Sequence, residues 1–388
     1  MTPIWNKPPH QTDVVIVGGG LVGVCLAYQL ARREVNCCLL ERHTLASGAS
    51  GRNDGQIILE TADYYTRMQR VYGIKEALNI LRFKRLGQTG THRMMAELTE
   101  NHHLAYHQQG SLTLAYNEAE AALIETASAA MIKDGFDMTL LDRDQIEAKI
   151  HTRRFAMGKY DPYDASVNPA EMTHAIAAQA RRGGAAVFEN CRVTGVASGR
   201  VDYEGGSVDC EVVILATNAY TAGLLPEFES LVFPIRGQVM AGEPSDIKIA
   251  PYACITNFGY DYWHWTPEGR LILGGRRFID EHGETGTDHR INPKVQDALC
   301  SLRDEMYPQY SHLKVEQQWS GIMGFSKDGK PLIGMIGGDP TMWCAVGFTG
   351  YGLGMCWSAG EAVAQVLNDE QSELTEILPM FAPNRFSG

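Results

Sequence analysis

Positive charge is in short supply in this chain. Its 388 residues carry 34 Lys and Arg against 46 Asp and Glu, a formal net charge of −12. A nucleic-acid partner needs a basic face to displace counterions, so the balance argues against one. Long apolar runs are missing too. None approaches the roughly 20 residues that cross a bilayer, and no membrane span is expected. The first twelve residues, MTPIWNKPPHQT, contain neither a basic n-region nor an apolar h-region. No signal peptide is expected, and the cytoplasm is the expected location. Nine cysteines is an odd number, no two stand as C-x-x-C, and Cys37 and Cys38 fall within an apolar stretch of strand character. Free buried thiols in a reducing compartment are the simplest reading. His102, His103 and His107 have no Cys or acidic ligand at zinc spacing, so they read as a solvated helix end and no metal site is expected. No internal repeat or low-complexity linker breaks the chain.

Residues 13–41, DVVIVGGGLVGVCLAYQLARREVNCCLLE, organise what is present. Residues 14–17 are a short β-branched run with the composition of a buried strand. The run stops at Gly18, and Gly18, Gly20 and Gly23 spell G-x-G-x-x-G. The first glycine permits a tight turn, the second lets the backbone approach a pyrophosphate, and the third lets a helix pack on the strand. Residues 21–33 read as that helix, and the N–H groups of its first turn, at Leu21 and Val22, face the phosphates. Residues 35–40 read as a second strand ending at Glu41, followed by Arg42. A carboxylate there accepts both ribose hydroxyls of an adenosine and repels a 2′-phosphate, which disfavours NADP. A dinucleotide site is expected.

Residues 44–56, TLASGASGRNDGQ, are small and polar. They suit close wrapping around a flat, bulky ligand, with Ser47, Ser50, Gly51, Arg52, Asn53 and Gln56 as contacts. A plain NAD-binding domain has no need of such a segment. GGGLVG, then Glu41, then ASGASGRN resemble the glycine oxidase, sarcosine oxidase and D-amino acid dehydrogenase superfamily of FAD enzymes. Within it, ASGRNDGQ is similar to the γ-glutamylputrescine oxidase branch, whose usual form has glycine where Asp54 stands.

The resemblance continues along the chain. It places Val193 at the adenine, after strands at 187–189 and 191–196. It makes the strand 212–216 a second nucleotide motif, ending at Ala216 with Asn218 in place of the commoner glycine. Residues 233–239 resemble the crossing into a substrate domain. There an aromatic strand, YDYWHW at 260–265, pairs with RLILGG at 270–275 across a Pro267-Glu268-Gly269 turn. The resemblance implies that this sheet walls the pocket above the flavin, with Tyr260, Tyr262 and His264 as lining candidates and Arg52 and Arg276 within reach of a carboxylate. Plain sheet packing is an equal reading for those three aromatic positions. Residues 319–334 match the penultimate family motif. GFTGYGLG at 347–354 then feeds a helix at 355–367, and the resemblance puts Gly350, Tyr351, Gly352 and Leu353 under the pyrimidine edge of the flavin. Further helices are expected over 62–71, 75–100, 117–133 and 170–182, with a strand over 111–116.

The expected fold is therefore α/β (α+β), a p-hydroxybenzoate-hydroxylase-like two-domain flavoprotein. A Rossmann-like FAD-binding domain is expected from 10–85, 151–225 and 319–388, and an antiparallel-sheet substrate domain from 86–150 and 226–318. The resemblance implies FAD, held without a covalent link because residues 319–325 contain no cysteine and Gly321 occupies the attachment position. It implies oxidation of an amine C–N bond by hydride transfer, with oxygen, a quinone or a partner flavoprotein as electron acceptor. The family's carboxylate-binding cations are replaced by Met323 and Gly354, which favours an amine over an amino acid. The lysine that promotes reaction with oxygen in sarcosine oxidases is replaced by Ile272, with Arg276 and Arg277 just beyond. Amino-acid and hydroxy-acid substrates, and a non-catalytic flavin-carrying subunit, stay open as alternatives.

Overall fold

A computed structural model describes residues 7–98 and 104–386. The run at 14–17 belongs to strand Gln11–Val17, which pairs in parallel with Cys37–Leu40 on one side and Gly206–Leu215 on the other. Ala186–Phe188 extends the sheet beyond Cys37–Leu40, and Asp339–Val346 and Leu332–Ile336 extend it beyond Gly206–Leu215. Alternation sends Val14, Ile16 and Leu39 to one face and Val15, Val17, Cys38 and Leu40 to the other, and all are buried. That is why these strands read as continuous apolar runs. Helices Leu21–Ala31, Pro169–Arg182 and Cys356–Leu367 cover the first face. The long helix Ile74–Leu98 packs outside them, close enough that a side chain at Gly90 would strike Trp357.

The second sheet runs in the order Val315–Ser326, Val232–Gly242, Leu271–Gly275, Asp261–Trp265, Ala253–Thr256, Ser111–Leu114, Met157–Asp161, Thr139–Asp142. Every pairing is antiparallel except Ala253–Thr256 with Ser111–Leu114, which is parallel, the long intervening chain providing the crossover that parallel strands need. Trp263 and Trp265 point into a core closed by helix Pro293–Met306, so Tyr262 and His264 take the opposite face. Met157–Asp161 and Val315–Ser326 both lie in this second sheet.

Most expected elements shift by a few residues, as at Tyr65–Tyr72, Glu118–Lys133 and Ser111–Leu114. His107 is a correction. It forms a bridge with Ser166, its N–H donating to that carbonyl at 2.8 Å, so it is no solvated helix end. His102 and His103 lie outside the described residues. All nine cysteines are free, and only Cys300 is not fully buried.

Candidate functional site

The two sheets meet around a cavity of about 470 Å³. Its floor begins at the glycine turn. Gly18 has φ +114°, and a Cβ there would lie 2.6 Å from the Ala216 carbonyl oxygen. Gly20 caps helix Leu21–Ala31 without any side-chain bond, and a Cβ on it would lie 2.9 Å from Ser50 Oγ. Gly23 does not line the cavity. A side chain on it would drive into the Gly18 carbonyl, so glycine there lets the helix close on the turn. Leu21 and Val22 line the cavity at the helix start, and the Leu21 N–H donates to Ser50 Oγ at 2.7 Å.

Glu41 lines the cavity and is 9% exposed. Its Oε2 accepts the Gly19 N–H at 2.7 Å and its Oε1 the His43 N–H at 2.8 Å. Each oxygen keeps a further lone pair for a ribose. Arg42 stacks on the Tyr220 ring at 4.1 Å, and both line the cavity with Val193, Ala216 and Asn218. Asn218 takes φ +46°, a conformation asparagine tolerates where glycine would be usual, and its Oδ1 accepts the Gly347 N–H at 3.0 Å. The second nucleotide strand is thereby tied to the second glycine loop.

The small-residue segment is not a free surface loop. Ala49–Arg52 is a single helical turn. Arg52 donates from Nε to Ser47 O at 2.8 Å and from Nη1 to Ser320 O at 3.2 Å, while Trp319 Nε1 donates to Arg52 O at 2.9 Å. Ser47, Ser50, Arg52, Asn53 and Gln56 line the cavity. Gly51 does not, and its role is the close approach to Ala46. Gln56 Nε2 bridges to Cys254 O and Trp263 O, each at 3.1 Å, and so joins the segment to the second sheet.

Gly350, Tyr351, Gly352 and Leu353 form another wall. Gly350 has φ +82°, and helix Cys356–Leu367 that follows starts without a side-chain cap. Behind Tyr351 sits Lys84, fully buried, with Nζ 5.1 Å from the Tyr351 ring and donating to Glu60 O. Burial pushes its ammonium down to about 7.

Tyr260 and Tyr262 line the cavity, Tyr260 from the turn just before strand Asp261–Trp265 rather than from the expected strand, but His264 and Arg276 do not. His264 shares a face with Tyr262 yet lies two residues further along the strand, roughly 7 Å on. It is 8% exposed, its Nδ1 has no hydrogen-bond partner, and burial with a smaller push from His107 lowers its imidazole to about 4. Arg276 takes φ +56° and turns towards Asp261, its Nε 3.6 Å from Oδ1. That left-handed residue hands the cavity to Arg277, whose guanidinium lies over Tyr260 at 4.7 Å and Phe325 at 5.0 Å. Among the described residues Arg277 has no carboxylate partner. Met323 and Gly354 both line the cavity, and Arg277 reaches it from a different position. Asp54 is a lining residue too, an acid within a glycine- and asparagine-rich run. Lys84 carried no expectation, and its one trace in the sequence is a charge three and four residues after Leu81 and Ile80 on the buried helix face.

Two glycine turns, each leading to a helix start without a side-chain cap, the first packed too closely for a Cβ at Gly18, Gly19 or Gly20, are what an FAD pyrophosphate and ring require. Across one cavity from an aromatic sheet, they define a flavin-dependent oxidoreductase. The chain belongs to the FAD dependent oxidoreductase family, which matches residues 13–366. It is 24% identical to gamma-glutamylputrescine oxidoreductase of Escherichia coli (strain K12), covering 92% of this chain and 84% of that protein. It is also 24% identical to glycine oxidase of Geobacillus kaustophilus (strain HTA426), over 98% of each chain. L-Proline dehydrogenase from P. horikoshii shares the fold, with a TM-score of 0.84, 22% identity and coverage of 98% and 99% of the two chains.

Proposed function

We propose that the chain oxidises the carbon–nitrogen bond of a primary or secondary amine to an imine that water then hydrolyses. FAD supplies the hydride acceptor. The observation that carries the reading is the single cavity, which joins the glycine turn to a compartment walled by Tyr260, Tyr262 and Tyr351. Those rings offer π-faces to an amine and keep water from the α-carbon. The set of residues expected at the cofactor supports the same reading, with Glu41 at the adenosine end and the 350–353 loop at the ring end. Residues 10–85, 151–225 and 319–388 would form the FAD-binding domain, and 86–150 and 226–318 the substrate domain, with strands Met157–Asp161 and Val315–Ser326 crossing between them. The names of the two relatives point to amines and amino acids as substrates. Buried free thiols suit a cytoplasmic location.

Arg277 favours a second reading, an amino-acid substrate whose carboxylate the unpaired guanidinium receives. The test is anaerobic mixing of holoenzyme with matched pairs, putrescine against ornithine and benzylamine against phenylglycine, while the flavin colour is followed. Faster bleaching by the amines supports the first reading, and faster bleaching by the carboxylated partners supports the second. If no amine, amino acid or hydroxy acid bleaches it, an electron-carrying subunit is left. Reoxidation by air in stopped flow separates oxygen as acceptor from a quinone or partner flavoprotein.

A further inference from the structure

Asp54 lines the cavity, and its Oδ2 is buried with no hydrogen-bond partner. The backbone on either side of it is fixed. Asn53 Nδ2 donates to Ala49 O and Ser50 O at 3.0 and 2.9 Å, and Asn53 Oδ1 accepts the Gly55 N–H at 2.7 Å. Gly55 has φ +78° and is pressed against the Val167 carbonyl, so a side chain there would clash. The carboxyl therefore stays at the cavity wall. Only its own backbone N–H approaches the carboxyl, which leaves Oδ2 bare. A buried carboxylate oxygen in that state is disfavoured, and it gains most when a cation with N–H groups enters. The neighbouring wall is made for such a guest, because Tyr262 and Tyr351 both feel the charge of Asp54 and present their rings to the same space.

We propose that Asp54 receives the amino group of the substrate, binding it as the ammonium and then taking one of its protons. In that step an N–H bond breaks and an O–H bond forms on the carboxylate. The electron pair stays on nitrogen, leaving the neutral amine that hydride loss from the α-carbon requires. The inference rests on the amine-oxidising reading above and adds the residue that selects the amine and removes its charge. Burial pushes the Asp54 carboxyl up to about 7, so both of its forms exist near neutrality, which suits a proton acceptor. The other titratable and charged groups nearby are Tyr262 with Asp261 beyond it, Tyr351 with Tyr260 and Asp63 near it, Arg277 facing the same two phenols, and Lys84 behind Tyr351.

The test compares wild-type holoenzyme with Asp54→Asn and Asp54→Leu. Benzyltrimethylammonium, which carries the charge but no removable proton, is titrated against the flavin absorbance, with tert-butylbenzene as the neutral control. Both variants are expected to bind the cation roughly tenfold to a hundredfold more weakly and the neutral control unchanged. Flavin reduction by benzylamine should lose its acid-side limb in Asp54→Asn, while FAD content stays at the wild-type value and the thermal midpoint does not fall. Equal affinity for the cation in all three proteins overturns the proposal. A lowered FAD content, with the cation affinity of the FAD-loaded fraction unchanged, also overturns it, since Asp54 would then serve the cofactor. Cation binding that depends on Asp54 in a protein no amine can reduce sustains the ammonium site and sinks the amine-oxidising reading. Equal reduction of wild type and Asp54→Asn at every pH does the reverse.

Discussion

Glu41 has two jobs at once. Its oxygens hold the Gly19 and His43 N–H groups, and its remaining lone pairs face the cavity. Bonds from N–H to a carboxylate are worth about 1.5–3 kcal/mol each. Glu41→Ala should therefore lower the stability of the apoprotein and raise the Kd for FAD at least about tenfold, read from quenching of FAD fluorescence on titration. An unchanged Kd would remove Glu41 from the cofactor site. His264 makes a different prediction, because it lies off the cavity. Its imidazole titrates near 4 when folded against 6.5 when unfolded, so between those values the unfolded chain binds more protons. Stability should then rise with pH across that window and stay flat above it. The loss from about pH 7.5 to about pH 5 is on the order of 2 kcal/mol for this one group. His264→Phe should flatten that part of the denaturant midpoint against pH, with little effect on amine KM. A large KM change would return His264 to the pocket.

Helix Leu21–Ala31 shows how one position sets an element. Gly23 has the Gly18 carbonyl where a side chain would go, and a Cβ on Gly360 of helix Cys356–Leu367 would lie only 3.0 Å from Cys25 and Leu26. The helix is thus clamped between the turn and its neighbour. Gly23→Ala should cost more than the roughly 1–3 kcal/mol of ordinary overpacking, since both neighbours are backbone or fixed helix. The measurable result is a lower melting midpoint together with a fall in FAD per chain after gel filtration. Retention of full flavin content would show that the helix can slide and still present Leu21 and Val22 to the phosphates.

The whole molecule encloses its cofactor space between two sheets built from alternating parts of the chain. Adding FAD to the apoprotein should raise the melting midpoint in proportion to the logarithm of its concentration. The link should be non-covalent. Among the residues lining the cavity Cys356 is the one cysteine, and burial pushes its thiol up to about 12, far from a reactive thiolate. Acid precipitation should therefore leave the pellet colourless and all the yellow in the supernatant. Colour retained in the pellet would show a covalent flavin.

The glycine turn, Glu41 and the second glycine loop were readable in the chain itself, because a tight turn and a helix start depend on residues within a few positions of one another. The alternating aromatics of 260–265 read as a half-buried sheet, and the structure puts Trp263 and Trp265 on the face opposite Tyr262. Helix Pro293–Met306 had no expectation over it, although Asn292 and Pro293 are starting signals. Three decisions came only with the tertiary structure. Where the cavity ends along the aromatic strand admits Tyr262 and excludes His264, and no local pattern carries that length. The left-handed turn at Arg276 gives the cavity to Arg277, and non-glycine residues at positive φ leave little trace in sequence. Asp54 was visible as an acid where glycine is usual. That its Oδ2 has no partner depends on what the second sheet and the 350–353 loop place around it, segments some 200 to 300 residues away in the chain.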